Sequence, residues 1–195
     1  VNPVASGRPA VMNVSTPAAS PSTVAASPAA PSWDQAQTLL EVMDAHLADH
    51  PDQVQIVYLA DQTETTISYR QLHDTSAALA AGLQRAGLEP GQAVAIMLPT
   101  SPAYFFTYLG ILRAGGIPVP IYPPARPSQL EDHVSRHTGI LANARAVLLV
   151  SVPEAMQVAR LLQARVPGLR AVHTPEDLIA AGQGQAPAAV AVRAD

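Results

Sequence analysis

Ile117-Pro118-Val119-Pro120-Ile121 narrows the folds open to this chain more than any other five residues. The segment is apolar and of strand length, yet two of its residues carry no backbone N–H. Backbone groups alternate sides along an extended chain, so prolines two apart leave one flank without donors. The segment is therefore a strand end, an edge strand or a polyproline stretch, and never the middle of a fully paired sheet. It lies inside a longer stretch, Leu98 to Ala142, with strong punctuation. Ser101-Pro102 opens a helix, since serine suits the cap and proline the first turn. Gly115-Gly116 closes that helix, and Gly116 to Tyr122 runs extended into the turn Pro123-Pro124-Ala125-Arg126-Pro127. Pro127-Ser128 then starts a second helix with Leu130, Val134, His137 and Leu141 inward. Asp132 and Arg136 form an i,i+4 pair on its outer side, worth about 0.3 kcal/mol.

The aromatic helix between Pro102 and Arg113 puts Phe105, Leu109 and Leu112 on one face and Tyr104 and Tyr108 on another. Apolar over so much of its circumference, it is expected to be buried between layers. Its aromatics either fill the core or line a pocket for an acyl chain, with core packing the simpler account.

Upstream, Thr38 to Leu47 places Leu39, Leu40, Met43 and Leu47 on one helical face, and His50-Pro51-Asp52 ends it. Val54 to Ala60 and Thr65 to Tyr69 read as a β-hairpin around Asp61 to Glu64. Ser68 caps a helix that runs to about Arg85 on Leu72, Ala78, Leu79 and Leu83, with Gly87 just past its end. Ala93 to Leu98 is a continuous apolar run, as expected for a strand covered on both faces. Downstream, Arg145 to Val150 is another such strand. Pro153-Glu154 opens a helix to about Arg165, Leu169 to His173 is a short strand, and Thr174-Pro175-Glu176-Asp177 starts a last helix. Strand and helix alternate from Ala93 onward, which predicts an α/β fold with a mostly parallel sheet flanked by helices.

Residues 1–32 hold six prolines among Ala, Ser, Thr and Val, with Arg8 the only charge. They cannot bury enough apolar surface to offset their ordering entropy and are expected to be a disordered tail. Residues 33–181 form the expected folded unit, and 182–195, low in complexity again, read as a linker. The chain begins with Val, which points to an alternative start codon or to a piece of something longer.

Composition removes several kinds of chemistry. A net charge of −4 supplies no cationic footprint for nucleic acid. No apolar run approaches the ~20 residues of a membrane-spanning helix, and no secretory signal is seen. Cysteine is absent, which fits a cytoplasmic protein and excludes disulfides and thiolate sites. All eleven basic residues are arginine, so no step that requires lysine can be performed by this chain. His46/His50 and His133/His137 have the i,i+4 spacing of shared metal ligands, but Leu47 and Val134 stand where a zincin would place glutamate. Surface or cap histidines are the simpler reading. Gly182-Gln183-Gly184 is a helix stop rather than a dinucleotide fingerprint, and no G-x-S-x-G elbow is present.

Leu112-Arg113-Ala114-Gly115-Gly116-Ile117-Pro118-Val119-Pro120 resembles the second core motif of adenylate-forming enzymes, and Ile67-Ser68-Tyr69-Arg70-Gln71-Leu72 resembles their first. Between them, Gly91-Gln92-Ala93-Val94-Ala95-Ile96 is similar to the family's "G-D-x-V-A-I", with Gln for Asp. Tyr122-Pro123-Pro124-Ala125-Arg126-Pro127 is similar to fatty-acyl-AMP ligases in particular. The resemblance covers roughly Leu39 to Asp195. It implies the N-terminal subdomain of an adenylation domain, from an enzyme that converts a fatty acid and ATP, with Mg²⁺, into an acyl adenylate and passes it to an acyl-carrier protein. The family's phosphate loop would begin where this chain stops, and the later motifs with the catalytic lysine are absent. No catalytic, cofactor-binding or metal-binding residue can therefore be assigned. By itself the chain is expected to be inactive, to bind neither ATP nor Mg²⁺, and to self-associate through apolar surface that the rest of the protein would cover. Two other readings stay open: part of a long-chain acyl-CoA synthetase, or a non-catalytic binding module.

Overall fold

The computed structural model describes residues 33–60, 62–123 and 130–191. The expected disordered tail 1–32, most of the turn after Tyr122, the start of the following helix and the last four residues of the linker lie outside them.

Two sheets form. An antiparallel hairpin of β1 (Val54–Ala60) and β2 (Thr63–Ser68) follows α1 (Leu39–Asp49). Strands β3 (Ala93–Met97), β4 (Ile117–Ile121), β5 (Ala146–Ser151) and β6 (Ala171–His173) make a parallel sheet in the order β4-β3-β5-β6. The expected mostly parallel sheet is thus parallel in every described pairing. Helices α2 (Tyr69–Arg85), α3 (Pro102–Arg113), α4 (Leu130–Asn143), α5 (Met156–Arg165) and α6 (Pro175–Gly182) cover it.

The prolines of β4 have found the edge. Ile117 donates its N–H to the Gln92 carbonyl on the β3 side. By alternation Val119 and Ile121 face β3 as well, so Pro118 and Pro120 turn their donor-free nitrogens outward. The open flank of β4 offers a poor ladder to a further strand.

Side chains alternate through the sheet with period two. Val94, Ile96, Leu148 and Val150 point into one apolar cluster, shared with Leu79, Leu83, Ile111 and Leu178 of α2, α3 and α6. Ala95, Met97 and Leu149 point into the other, with Val134, Leu141, Ala159 and Leu162 of α4 and α5. All five β3 residues are buried, as the continuous apolar run predicts. Each fully buried Leu, Ile or Val contributes roughly 1.5–3 kcal/mol. A third cluster, Met43, Ile67, Tyr69, Leu72 and Leu109, ties α1 and the hairpin to α2 and α3.

Three helix starts are held by side-chain caps, and those of α3 and α5 are not. Thr38 with Glu41, and Ser68 with Gln71, form reciprocal capping boxes, and Thr174 accepts from the Asp177 amide. Ser101 stands at the cap of α3, but its hydroxyl makes no capping bond; Pro102 alone removes one orphan donor there. Pro153-Glu154 opens a short 3₁₀ turn, and the α-helix begins only at Met156. The expected Asp132–Arg136 pair does not form among the described ion pairs. Both side chains stand in water, where so small a gain does not hold two long side chains in one geometry.

α2 and α6 meet backbone on backbone. A Cβ on Gly82 would lie 2.0 Å from the Leu178 carbonyl oxygen, and one on Gly182 would lie 1.9 Å from that of Ala78. Gly182 is thus the buried last residue of α6 rather than only a stop signal.

Candidate functional site

Open parallel sheets present ligands with the carboxyl ends of their strands, at the point where successive connections leave in opposite directions. Here β3 connects outward to β4, and β5 connects the other way to β6. The switch point therefore lies beyond Met97 and Ser151, which are register partners. Exposed Pro99 and Thr100, half-buried Ser101, and Pro153 and Glu154 rim it. No nucleophile there is paired with a base, so the described residues of this edge can orient or exclude but not activate.

The carboxyl end of β4 carries the unexpected feature. Tyr122 leaves the strand and meets two imidazoles of α4 edge-on, with ring centroids 5.4 Å from His133 and 4.8 Å from His137. The two imidazoles stack on each other, centroids 3.9 Å apart and planes 25° from parallel. His133 is 6% exposed and His137 fully buried, which overturns the surface-or-cap reading for this pair. His137 was recognisable as inward-facing from its spacing with Leu130, Val134 and Leu141. The i,i+4 spacing places His133 on the same face of α4, and the structure shows that this face is buried deeply enough to enclose both rings. His137 Nδ1 lies 2.7 Å from the His133 carbonyl oxygen. A carbonyl only accepts, so Nδ1 is the donor in this bond. The Nε2 atoms of both rings are buried without a partner. Burial first, and then the neighbouring His137, hold the His133 imidazole below its ordinary pKa.

Such a stack is a poor metal clasp. A ligating imidazole places the metal in its own ring plane, and two nearly parallel planes do not converge on one ion. No cluster of three or more His, Cys, Asp or Glu suited to a metal occurs among the described residues. Of the other pair, His50 is exposed at the end of α1, and His46 stacks on Tyr69 at 5.0 Å.

The aromatic helix is not enclosed between layers as expected. Only Thr107, Leu109, Gly110 and Ile111 of α3 are buried. Tyr104, Phe105 and Tyr108 remain half-exposed and, with Met43, Ile56 and Leu72, line an open apolar groove of about 340 Å³ between α1, the hairpin and α3. Behind it Arg113 draws three helices together, donating to Asp44 of α1 at 2.8 Å and to the Ser76 hydroxyl of α2 at 3.0 Å. Its side chain is 12% exposed while that of Asp44 is 49% exposed, so solvent still reaches the pair from the carboxylate side. The arginine of the Leu-Arg-Ala-Gly motif is a structural tie in this chain.

Comparison with known proteins agrees with this architecture. The AMP-binding enzyme family matches residues 43–189. A long-chain-fatty-acid–CoA ligase of Escherichia coli is 33% identical over 119 residues, which are 60% of this chain and 20% of that ligase. Bacitracin synthase 3 of Bacillus licheniformis is 33% identical over 115 residues, only 2% of its own length. Among solved structures, the fatty acyl-adenylate ligase of Legionella pneumophila in complex with acyl adenylate and pyrophosphate superimposes with a TM-score of 0.68 at 25% identity. That match covers 81% of this chain and 27% of the ligase. The chain thus spans about a fifth of the curated ligase it matches and about a quarter of the solved one. With strands, helices and motif residues in this order, the chain belongs to the AMP-binding enzyme family.

Proposed function

We propose that this chain is the N-terminal part of an ATP-dependent fatty-acid-activating ligase. The whole protein joins a fatty acid to AMP, with loss of pyrophosphate, and passes the acyl group to an acyl-carrier thiol in the cytoplasm. The observation that carries this reading is the likeness to the acyl-adenylate ligase over four-fifths of the chain. The Pro-Pro-x-Arg-Pro turn, although most of it lies outside the described residues, supports the same subgroup.

The residues present do not fit ATP and Mg²⁺. Transfer through adenylate needs cationic and metal stabilisation of charge developing on phosphate, and this chain contains no lysine. Its described residues offer no carboxylate cluster to hold a divalent ion. Residues 33–181 act as the N-terminal subdomain part of an adenylation domain, and the chain alone is inactive. Its apolar surface, including Leu59 at 71% exposed and the groove beside α3, favours self-association when the remainder is absent. No described helix is long and apolar enough to cross a membrane.

ATP–pyrophosphate exchange with a panel of fatty acids tests the inactivity: no turnover above a protein-free blank is expected, and clear exchange would refute it. The acyl-CoA ligase likeness favours a second reading, in which CoA is the acceptor. Assaying a longer gene product with CoA and with a carrier protein separates the two. Cooperative unfolding of a monodisperse chain with a genuine stop after Asp195 would instead favour a non-catalytic module.

A further inference from the structure

The low-complexity stretch after α6 does not leave the body at once. The Gln84 side chain meets the backbone of Ala188 twice, donating from Nε2 to its carbonyl at 3.1 Å and accepting its N–H on Oε1 at 2.8 Å. A glutamine amide sets one of its two N–H donors beside its carbonyl acceptor in a plane, the same pair that a neighbouring strand would present. This contact holds a backbone without reading side chains, so register must come from elsewhere. It comes from Val190, which packs over Gly115. A Cβ on Gly115 would lie 2.5 Å from Val190 Cγ1 and 3.3 Å from Pro90, and its φ of +77° already disfavours a side chain. Within 186–191 only Val190 is branched and apolar; its neighbours are four alanines and Pro187. A slip of one residue would put an alanine over the glycine and turn the backbone pair of Ala188 away from Gln84.

We propose that Gln84 and Gly115 are positioning residues, which seat 185–190 as an extended strap across α2 and the end of α3. The strap fixes where the chain departs from the folded unit, beside the amino end of β4. Gln84 supplies the hold and Gly115 the register. The further consequence, that the phosphate-binding segment of the longer protein starts from a fixed point, rests on the function proposed above; the docking itself does not.

Amide hydrogen exchange on this chain tests the strap. The Ala188 amide is expected to exchange at least tenfold more slowly than in a free peptide of residues 183–195. In Gln84→Met that protection is lost while the urea midpoint is unchanged. Gln84→Glu keeps the acceptor and retains part of it, and Val190→Ala lowers it through loss of register. Free-peptide exchange in the unmodified chain overturns the proposal. So does full protection in Gln84→Met, or equal loss in the Met and Glu variants. Pyrophosphate exchange by the isolated chain would refute its proposed inactivity and leave these outcomes untouched.

Discussion

The two faces of the parallel sheet are closed by opposite means. Under α2, α3 and α6 the tightest approaches are made by what is missing: Gly82 and Gly182 let two helix backbones touch. Under α4 and α5 the space is filled by side chains, and two of them are imidazoles whose Nε2 atoms find no partner. A seam of backbone has no slack, because no rotamer can turn aside. A filled face can repack, but its buried polar groups make it sensitive to protons. The difference teaches that similar apolar burial on two faces can hide unequal tolerance to mutation and to pH.

Gly82→Ala is the largest test of that contrast. Helix propensity alone favours alanine by about 1 kcal/mol. The carbonyl 2.0 Å from the new Cβ is backbone and cannot yield, so a net loss of about 4 kcal/mol or more is expected by urea unfolding. A stabilised variant would show that the seam is looser than drawn.

Leu148 and Leu149 are adjacent, both fully buried, and face opposite clusters. Each leucine-to-alanine change is expected to cost about 2–5 kcal/mol. Leu148→Ala should be the costlier, since the glycine seam keeps its surroundings from collapsing into the cavity. Equal or reversed costs would remove the distinction between the faces.

Acid provides the smallest and most selective probe. The lowered pKa of His133 means that the unfolded chain takes up its proton first as pH falls below about 6.5. Stability is therefore complete above that value and declines below it, by at most about 1.4 kcal/mol per pH unit for one proton. Asp52, held below its ordinary value by the Arg70 hydrogen bond and charge, acts only at lower pH, when that carboxylate begins to protonate. Urea midpoints at pH 7.5 and 5 should differ, and His133→Leu should flatten the difference. An unchanged slope in that variant would place the acid sensitivity elsewhere.

Much of the fold was legible before any coordinates, for local reasons. Pro118 and Pro120 lack donors wherever they sit, so an edge was among the few places open to them. The all-apolar run Ala93 to Met97 could only be covered twice. Ser68 and Thr174 announce helices because a side-chain oxygen there satisfies an amide three residues on. Where local signals competed with long-range packing, they failed. Ser101 looks like a cap and makes no capping bond. The aromatics of α3 look enclosed by their spacing, yet three of them line an open groove. The site was less legible still, since no residue type at the strand ends has a pattern that names a reaction.

What the sequence determined by itself was the alternation of elements, the strand that cannot be central, the family resemblance in its motifs, and the absence of lysine. These depend on covalent structure and short-range sterics, which every residue carries with it. Tertiary structure alone decided that His133 stacks on His137 in the core, that Gly82 meets α6, and that Gln84 holds Ala188 across 104 positions of chain. Those are contacts between segments far apart in sequence or on shared interior faces. Spacing alone put the two histidines on one helix face; the burial of that face and the other two contacts arise only when the sheet has brought the helices together, so no local pattern could have announced them.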